Sequence, residues 1–226
     1  SFFFAENEQF LNRWQVLPIG LHSKAIEEKI TPYYFIDKDY ILSILKPRKV
    51  FSHKGTYGHC LVIAGSYGMV GAAVLCAKSA VSSGAGLVTI HVPKCGYTIA
   101  QQLVPMAMCV VDTNEHFNTS ILNIDKYNSV CIGPGLGTNP QTTKMLENLI
   151  SFIKVPLVLD ADALNIIAEN KALLSSLPKD TIITPHPGEF DRLFGKSICG
   201  LERMKKAIKA AKMYKLIIVL KGAYSQ

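Results

Sequence analysis

Five short segments rich in glycine, aspartate or histidine each follow an apolar run of the kind that forms a strand. Ala64-Gly65-Ser66-Tyr67-Gly68 follows residues 60–63, and Gly133-Pro134-Gly135-Leu136-Gly137 follows residues 130–132. Asp160-Ala161-Asp162-Ala163-Leu164-Asn165 follows residues 157–159, Thr184-Pro185-His186-Pro187-Gly188-Glu189 follows 181–183, and Lys221-Gly222 follows 216–220. The glycine segments offer backbone amides to an anion and let a flat ligand approach the chain closely; Ala72 and Ala73, beside the first, extend that open surface. Asp160 and Asp162 can orient a magnesium-bound phosphate or hydrogen-bond a hydroxyl, with Asn165 within reach of ligand or loop. His186 stands between two prolines that restrict its backbone, and Lys221 suits a phosphate partner. Each has a plainer reading. The first loop is also a tight turn, without the G-x-G-x-x-G spacing or a following P-loop lysine. Asp162 can cap its helix while Asp160 bonds backbone amides, and Glu189 gains from the helix dipole wherever a first turn lies.

Open parallel sheets bind ligands outside the carboxyl ends of their strands, so five such turns on one edge make one composite site. The rest of the chain supplies that sheet. Strand and helix signals alternate from about Phe51 onwards: residues 87–92 read as a strand, 71–83 as a largely apolar, deeply packed helix, and 140–153 as a helix with Met145, Leu146, Leu149, Ile150 and Ile153 on one face. Helices are also expected from Asp162 to about Glu169, over 187–194, and over 36–45. The pattern predicts an α/β fold with a mainly parallel central sheet and helices on both faces. Residues 1–30 differ, with the only Trp (Trp14), a Phe cluster and a short strand expected over 15–19.

With 226 residues, 49% of them apolar, the chain can bury one sizeable core. No apolar stretch reaches the roughly 18 residues of a membrane span, and no membrane partner is expected. The start, Ser1-Phe2-Phe3-Phe4, reads as cut from a longer chain and not as a signal peptide. Six cysteines without a C-x-x-C pair read as thiols of a reducing, cytoplasmic compartment, and six histidines without H-x-x-x-H spacing give no structural metal site. The net charge of +7 invites a nucleic-acid reading. Much of it, however, lies in Arg203, Lys205, Lys206, Lys209, Lys212 and Lys215. These alternate at helical spacing with Met204, Ala207, Ile208 and Ala211, as on a surface helix with one apolar stripe. No aromatics interleave with them, so no nucleic-acid partner is expected.

Taken in order, His53-Lys54-Gly55-Thr56-Tyr57-Gly58-His59, the Gly65 loop, Ser83-Gly84-Ala85-Gly86-Leu87, the Gly133 loop, Asp160 to Asn165, Thr184 to Glu189 with Arg192-Leu193, and Lys221-Gly222 resemble the ADP/ATP-dependent NAD(P)H-hydrate dehydratase family. The resemblance covers about residues 35–226 and implies a ribokinase-like fold. Residues 1–30, with Pro18-Ile19-Gly20-Leu21, resemble the tail of the epimerase domain that precedes the dehydratase in bifunctional members. It implies a dehydratase domain over 31–226 and a metabolite-repair reaction. ADP or ATP, with Mg2+, phosphorylates the hydroxyl of hydrated NADH or NADPH (NADHX, NADPHX), and loss of phosphate restores the dihydronicotinamide. It further implies dinucleotide contacts at Ala73, Gly133, Gly135, Gly137, Asn165 and His186, and nucleotide contacts at Lys221, Gly222, Ala223, Tyr224 and Ser225. Asp160 and Glu189 fall near the phosphates and magnesium, and a homo-oligomer is expected. The chain departs from the family at Pro105-Met106, where Pro-Glu is usual. The Gly-x-Gly-Asp segment with the family's catalytic aspartate would fall beyond Gln226, so no catalytic residue is assigned within these residues. A small-alcohol kinase of thiazole or pyrimidine type on the same fold, and a non-catalytic nucleotide-binding protein, are the alternatives; His186 with the glycine floor favours the dehydratase.

Overall fold

The computed structural model describes residues 3–120 and 123–226; Ser1 and Phe2, part of the amino-terminal reading, lie outside the described residues. Seven parallel strands form one sheet in the order β3-β2-β1-β4-β5-β6-β7. They are β1 (His59–Ile63), β2 (Leu87–Val92), β3 (Met108–Val111), β4 (Ser129–Ile132), β5 (Leu157–Leu159), β6 (Ile182–Ile183) and β7 (Ile217–Ile218). All the strand pairs run parallel, so their carboxyl ends share one edge.

Alternation along the strands splits the core in two. Leu61, Ile63, Val130 and Ile132 face helices α5 (Pro140–Phe152) and α6 (Asp162–Glu169), joined by Leu193 of α7 (Pro187–Phe194). Val62, Val88, Ile90 and Val92 face α3 (Val70–Ser82) and α4 (Tyr97–Leu103). The expected helices on both faces are therefore present. Side-chain caps start two of them: Asn139 accepts from the Gln141 amide ahead of Pro140, and His186 does the same for α7 ahead of Pro187.

Several expectations need correction. Residues 15–19 form no strand: Val16, Leu17 and Ile19 are exposed, and an unpaired extended segment has nothing to complete its backbone hydrogen bonds. The run 216–220 yields only a two-residue strand. Leu216 donates to Ala211 at the left-handed end of helix α8 (Gly200–Tyr214), and Leu220 pairs with Gln226 in both directions. Helix α3 buries Val70, Ala73, Val74 and Ala77 but leaves Leu75 exposed, so it packs by one face and is not buried all round. Helix α8 is a surface helix as expected, yet Arg203 is not simply solvated. Its guanidinium holds Asp191 of α7 through two bonds of 3.1 and 3.0 Å. None of the described helices is long and apolar enough to cross a membrane. Ahead of the sheet lie α1 (Ser23–Glu27), α2 (Lys38–Ile44) and short 3-10 turns.

Candidate active site

Strand order reverses between β1 and β4, and parallel sheets place their ligand crevice at such a point. The turns that follow these two strands are fastened to each other. Gly65 N–H donates to the Pro134 carbonyl at 2.9 Å, and Ser66 Oγ to the Gly135 carbonyl at 2.9 Å. Glycine is needed for close approach. A Cβ on Gly135, whose φ is +62°, would stand 2.8 Å from the Met69 carbonyl and 2.9 Å from Ala72 Cβ. One on Gly133, at φ +130°, would collide with the Asp160 carbonyl. Gly65 lies against Ala73 in the same way. The first turn of α3, carrying Ala72 and Ala73, is therefore one wall of the crevice.

A hydrogen-bonded relay supports the other wall. Gly137 N–H donates to Asp162 Oδ2 at 2.9 Å, Asn165 Nδ2 to Asp162 Oδ1 at 3.2 Å, and Arg192 Nη2 to Asn165 Oδ1 at 2.9 Å. Asp162 is thus not the cap of α6. The preceding Ala161 sits at φ +49° and ψ −119°, an uncommon conformation for a residue with a side chain. Asp162 becomes the first helical residue, its carboxylate aimed at the neighbouring loop. Asp160 takes no backbone amide either: its Oδ1 accepts from Lys221 Nζ at 2.5 Å. Lys221 N–H donates to the Pro185 carbonyl at 2.9 Å, which seats the end of β7 on the loop after β6.

His186 and Glu189 close on each other. The imidazole Nδ1 accepts from the Gly188 and Glu189 amides at 3.0 and 3.4 Å, while Glu189 Oε2 accepts from His186 N–H at 2.8 Å. With Nδ1 an acceptor, the neutral ring carries its proton on Nε2, which faces Glu189 Oε1 at 3.3 Å. The imidazole remains half exposed, and Glu189 is buried.

Sequence reasoning missed a second support, the stretch from Asp112 to Ser120. Asp112 is buried and accepts from the amides of Asn114, Thr119 and Ser120 and from the hydroxyls of Thr119 and Ser120. His91 Nε2 lies 3.3 Å from its Oδ2. Burial opposes ionisation, but His91 and those three amides outweigh it and hold the Asp112 carboxyl well below the usual range. The turn so fixed carries Asn118, whose Nδ2 donates to the carbonyls of Ala64 and Gly65 at 3.4 and 2.9 Å. His116 contributes its carbonyl to Tyr67 N–H at 2.7 Å. Asp, Thr, Asn and Ser gathered over 112–120 are the residues that bond local backbone, and that clustering was the available signal.

A cavity of about 460 Å³ opens beside the segment that follows β7. Lys221, Gly222, Ala223 and Tyr224 line it, with Arg203 and the amino-terminal Phe3 and Trp14. Trp14 Nε1 donates to Tyr224 Oη at 3.2 Å. None of Ala73, Gly135 or Asp160 lines this cavity, and neither does Ser225.

Residues 60–226 match the family described as Carb_kinase, NAD(P)H-hydrate dehydratase. The chain belongs to the NAD(P)H-hydrate dehydratase family. The bifunctional NAD(P)H-hydrate repair enzyme Nnr of Moorella thermoacetica is 32% identical over 221 residues, which make up 93% of this chain and 42% of the relative. The chain spans well under half the length of the curated relatives it first matches. A ribokinase-like superfamily protein from Enterococcus faecalis superimposes with a TM-score of 0.75 at 23% identity, over 87% of this chain and 70% of that one. The ADP/ATP-dependent NAD(P)H-hydrate dehydratase of Bacillus subtilis, co-crystallized with ATP and Mg2+, gives a TM-score of 0.64 at 29% identity, over 83% and 66%.

Within this dehydratase family fold the motifs divide by edge. The Gly65, Gly133, Asp160, His186 and Lys221 turns gather at the carboxyl edge. His53–Gly58 and Ser83–Gly86 lie at the opposite edge, where Gly86 N–H donates to the Tyr57 carbonyl and a Cβ on Gly86 would collide with the Lys54 carbonyl. Those two motifs serve packing.

Proposed function

We propose that the chain carries the substrate- and nucleotide-binding body of a nucleotide-dependent dehydratase that returns the S hydrate of NADH or NADPH to NAD(P)H. The observation that carries this reading is the pair of interlocked glycine turns at the switch point, with Asp160 and Lys221 at the adjoining strand ends. A flat dinucleotide needs a floor without side chains, and Gly133, Gly135, Gly137 and Ala73 supply one. Asn165 and His186 border it with polar groups. Lys221, Gly222, Ala223, Tyr224 and Ser225 are assigned to ADP or ATP, supported by the cavity that four of them line.

Hydroxide is a poor leaving group and phosphate a good one. The hydrate hydroxyl gives its proton to a base as its oxygen attacks the terminal phosphorus, the P–O bond to the nucleotide breaks and the shortened nucleotide leaves, and the phosphorylated ring then expels phosphate while a neighbouring C–H proton passes to a base or water. The protein's share is positioning and charge stabilisation. Lys221 would exchange its carboxylate partner for the transferring phosphate.

Mg2+, when bound, would neutralise phosphate charge. Among the described residues no group of three or more His, Cys, Asp or Glu could hold a metal, and both Glu189 oxygens already face His186. Asp160 is the carboxylate that would hold it, once Lys221 has turned to the phosphate. Residues 1–30 are assigned to the end of a preceding epimerase-type domain, in keeping with the bifunctional relatives.

The test is recovery of dihydronicotinamide absorbance from the S hydrate of NADPH with ADP or ATP and Mg2+. This chain would be compared with one carried through the family's Gly-x-Gly-Asp segment. Recovery in the longer chain is expected. Phosphoryl transfer to thiazole alcohols without hydrate repair would overturn the reading.

A further inference from the structure

Beneath the crevice lies a pair of thiols that the proposed chemistry does not use. Cys76 Sγ on α3 and Cys131 Sγ on β4 are 3.6 Å apart. Their approach follows from the pattern of each element. Val130 and Ile132 point into the α5 layer, so Cys131 points the other way, toward α3. Cys76 packs against the same core cluster as Ala73 and Ala77, beside them on α3. Both residues are partly buried and both are free thiols.

A disulfide bond is about 2.05 Å long, so the sulfurs must close by about 1.5 Å, a distance that side-chain rotation and a small helix shift can supply. Either sulfur can donate to the other, and the Cys131 thiol beside it lowers the Cys76 pKa against the effect of burial. Cys76 lies on the helix that walls the crevice and Cys131 on the central strand behind it, which makes Cys76 the attacking sulfur and Cys131 the resolving one.

We propose that Cys76 and Cys131 are a hydroperoxide-sensitive dithiol that closes to an intramolecular disulfide. The Cys76 thiolate attacks one peroxide oxygen and the O–O bond breaks. The leaving oxygen takes a proton and departs as water or an alcohol, and Cys76 becomes a sulfenic acid. Cys131 then attacks the Cys76 sulfur, the S–S bond forms, the S–O bond breaks, and the Cys131 proton leaves with that oxygen as water. Two thiols lose two electrons and the peroxide gains them. The new bond would pin α3 to β4 one turn from Ala72 and Ala73, the wall against which Gly135 and Gly65 rest.

The experiment is stoichiometric hydrogen peroxide on the native protein, followed by alkylation, digestion and peptide mapping. It requires no turnover, so its outcome is independent of the hydrate-repair reading. The expected product is a Cys76–Cys131 linked peptide lighter by two hydrogens and restored by dithiothreitol. Cys60→Ser should leave that link intact, since the Cys60 thiol is directed at the Leu61 carbonyl at 3.8 Å. Cys131→Ser should leave a Cys76 sulfenic acid that a 1,3-dicarbonyl reagent traps. A bond to Cys60 in place of either partner, or oxidation confined to Cys95, Cys109 and Cys199, would overturn the proposal.

Discussion

At the switch point the turns after β1 and β4 are bonded to each other and braced from both flanks, by Asn118 on one side and by Asp162, Asn165 and Arg192 on the other. The turn after β7 is tied to the sheet edge by less, the Lys221–Asp160 pair and one backbone bond to Pro185, and otherwise by the Leu220–Gln226 pairing and the contacts of Tyr224 with Trp14 and Phe3. Under the proposed function the contrast has a use: a rigid floor would accept one shape of ring, whereas a phosphate that is to be transferred would need a cation able to change partners.

The largest effect should come from stiffening the floor beyond what it can hold. Gly133→Ala forces a side chain into positive φ and onto the Asp160 carbonyl. A loss of about 3 kcal/mol or more is expected in chemical denaturation. A variant as stable as its parent would mean that the Gly133 turn is not packed against the Asp160 carbonyl.

Asp112→Asn should come next, at about 2 kcal/mol, because a buried carboxylate with several donors loses its charge. The sign of its pH dependence is set by the depressed Asp112 value. In the parent the contribution is fully present above the unfolded pKa of about 4, and it drains away as pH falls through the lower folded value. Denaturation midpoints followed downward from about pH 5 should lose this slope in the variant. An unchanged acid limb would show that the Asp112 turn does not brace the floor.

Lys221→Met should cost least in stability, below about 1 kcal/mol, since both partners are partly exposed. Nucleotide affinity should fall about tenfold, or about 1.4 kcal/mol. Equal affinity for ADP or ATP in parent and variant by calorimetry would remove Lys221 from the phosphate site and blur the contrast between the two ends.

The strands that carry the site were legible because each apolar run stops at a turn residue: residues 157–159 were read with the bounds the structure gives, and 87–92 likewise. What escaped was non-local. Nothing in the sequence ties Lys221 to Asp160, 61 positions away, or Asn118 to Gly65, 53 positions away. Asp162 was legible as a residue at a helix start but not in its target. The positive φ of Ala161 that turns it toward Gly137 is a conformation that an alanine does not advertise. Strand β3 is four residues, none of them buried, and offers too little alternation to announce itself.

The sequence holds a single tryptophan, and the structure places its indole on Tyr224, on the rim of the cavity assigned to the nucleotide. The molecule therefore has its own optical probe. Displacing that hydrogen bond would alter the emission of one indole, so occupancy of the β7 end could be followed by tryptophan fluorescence, to which the tyrosine-bearing glycine floor adds no second indole.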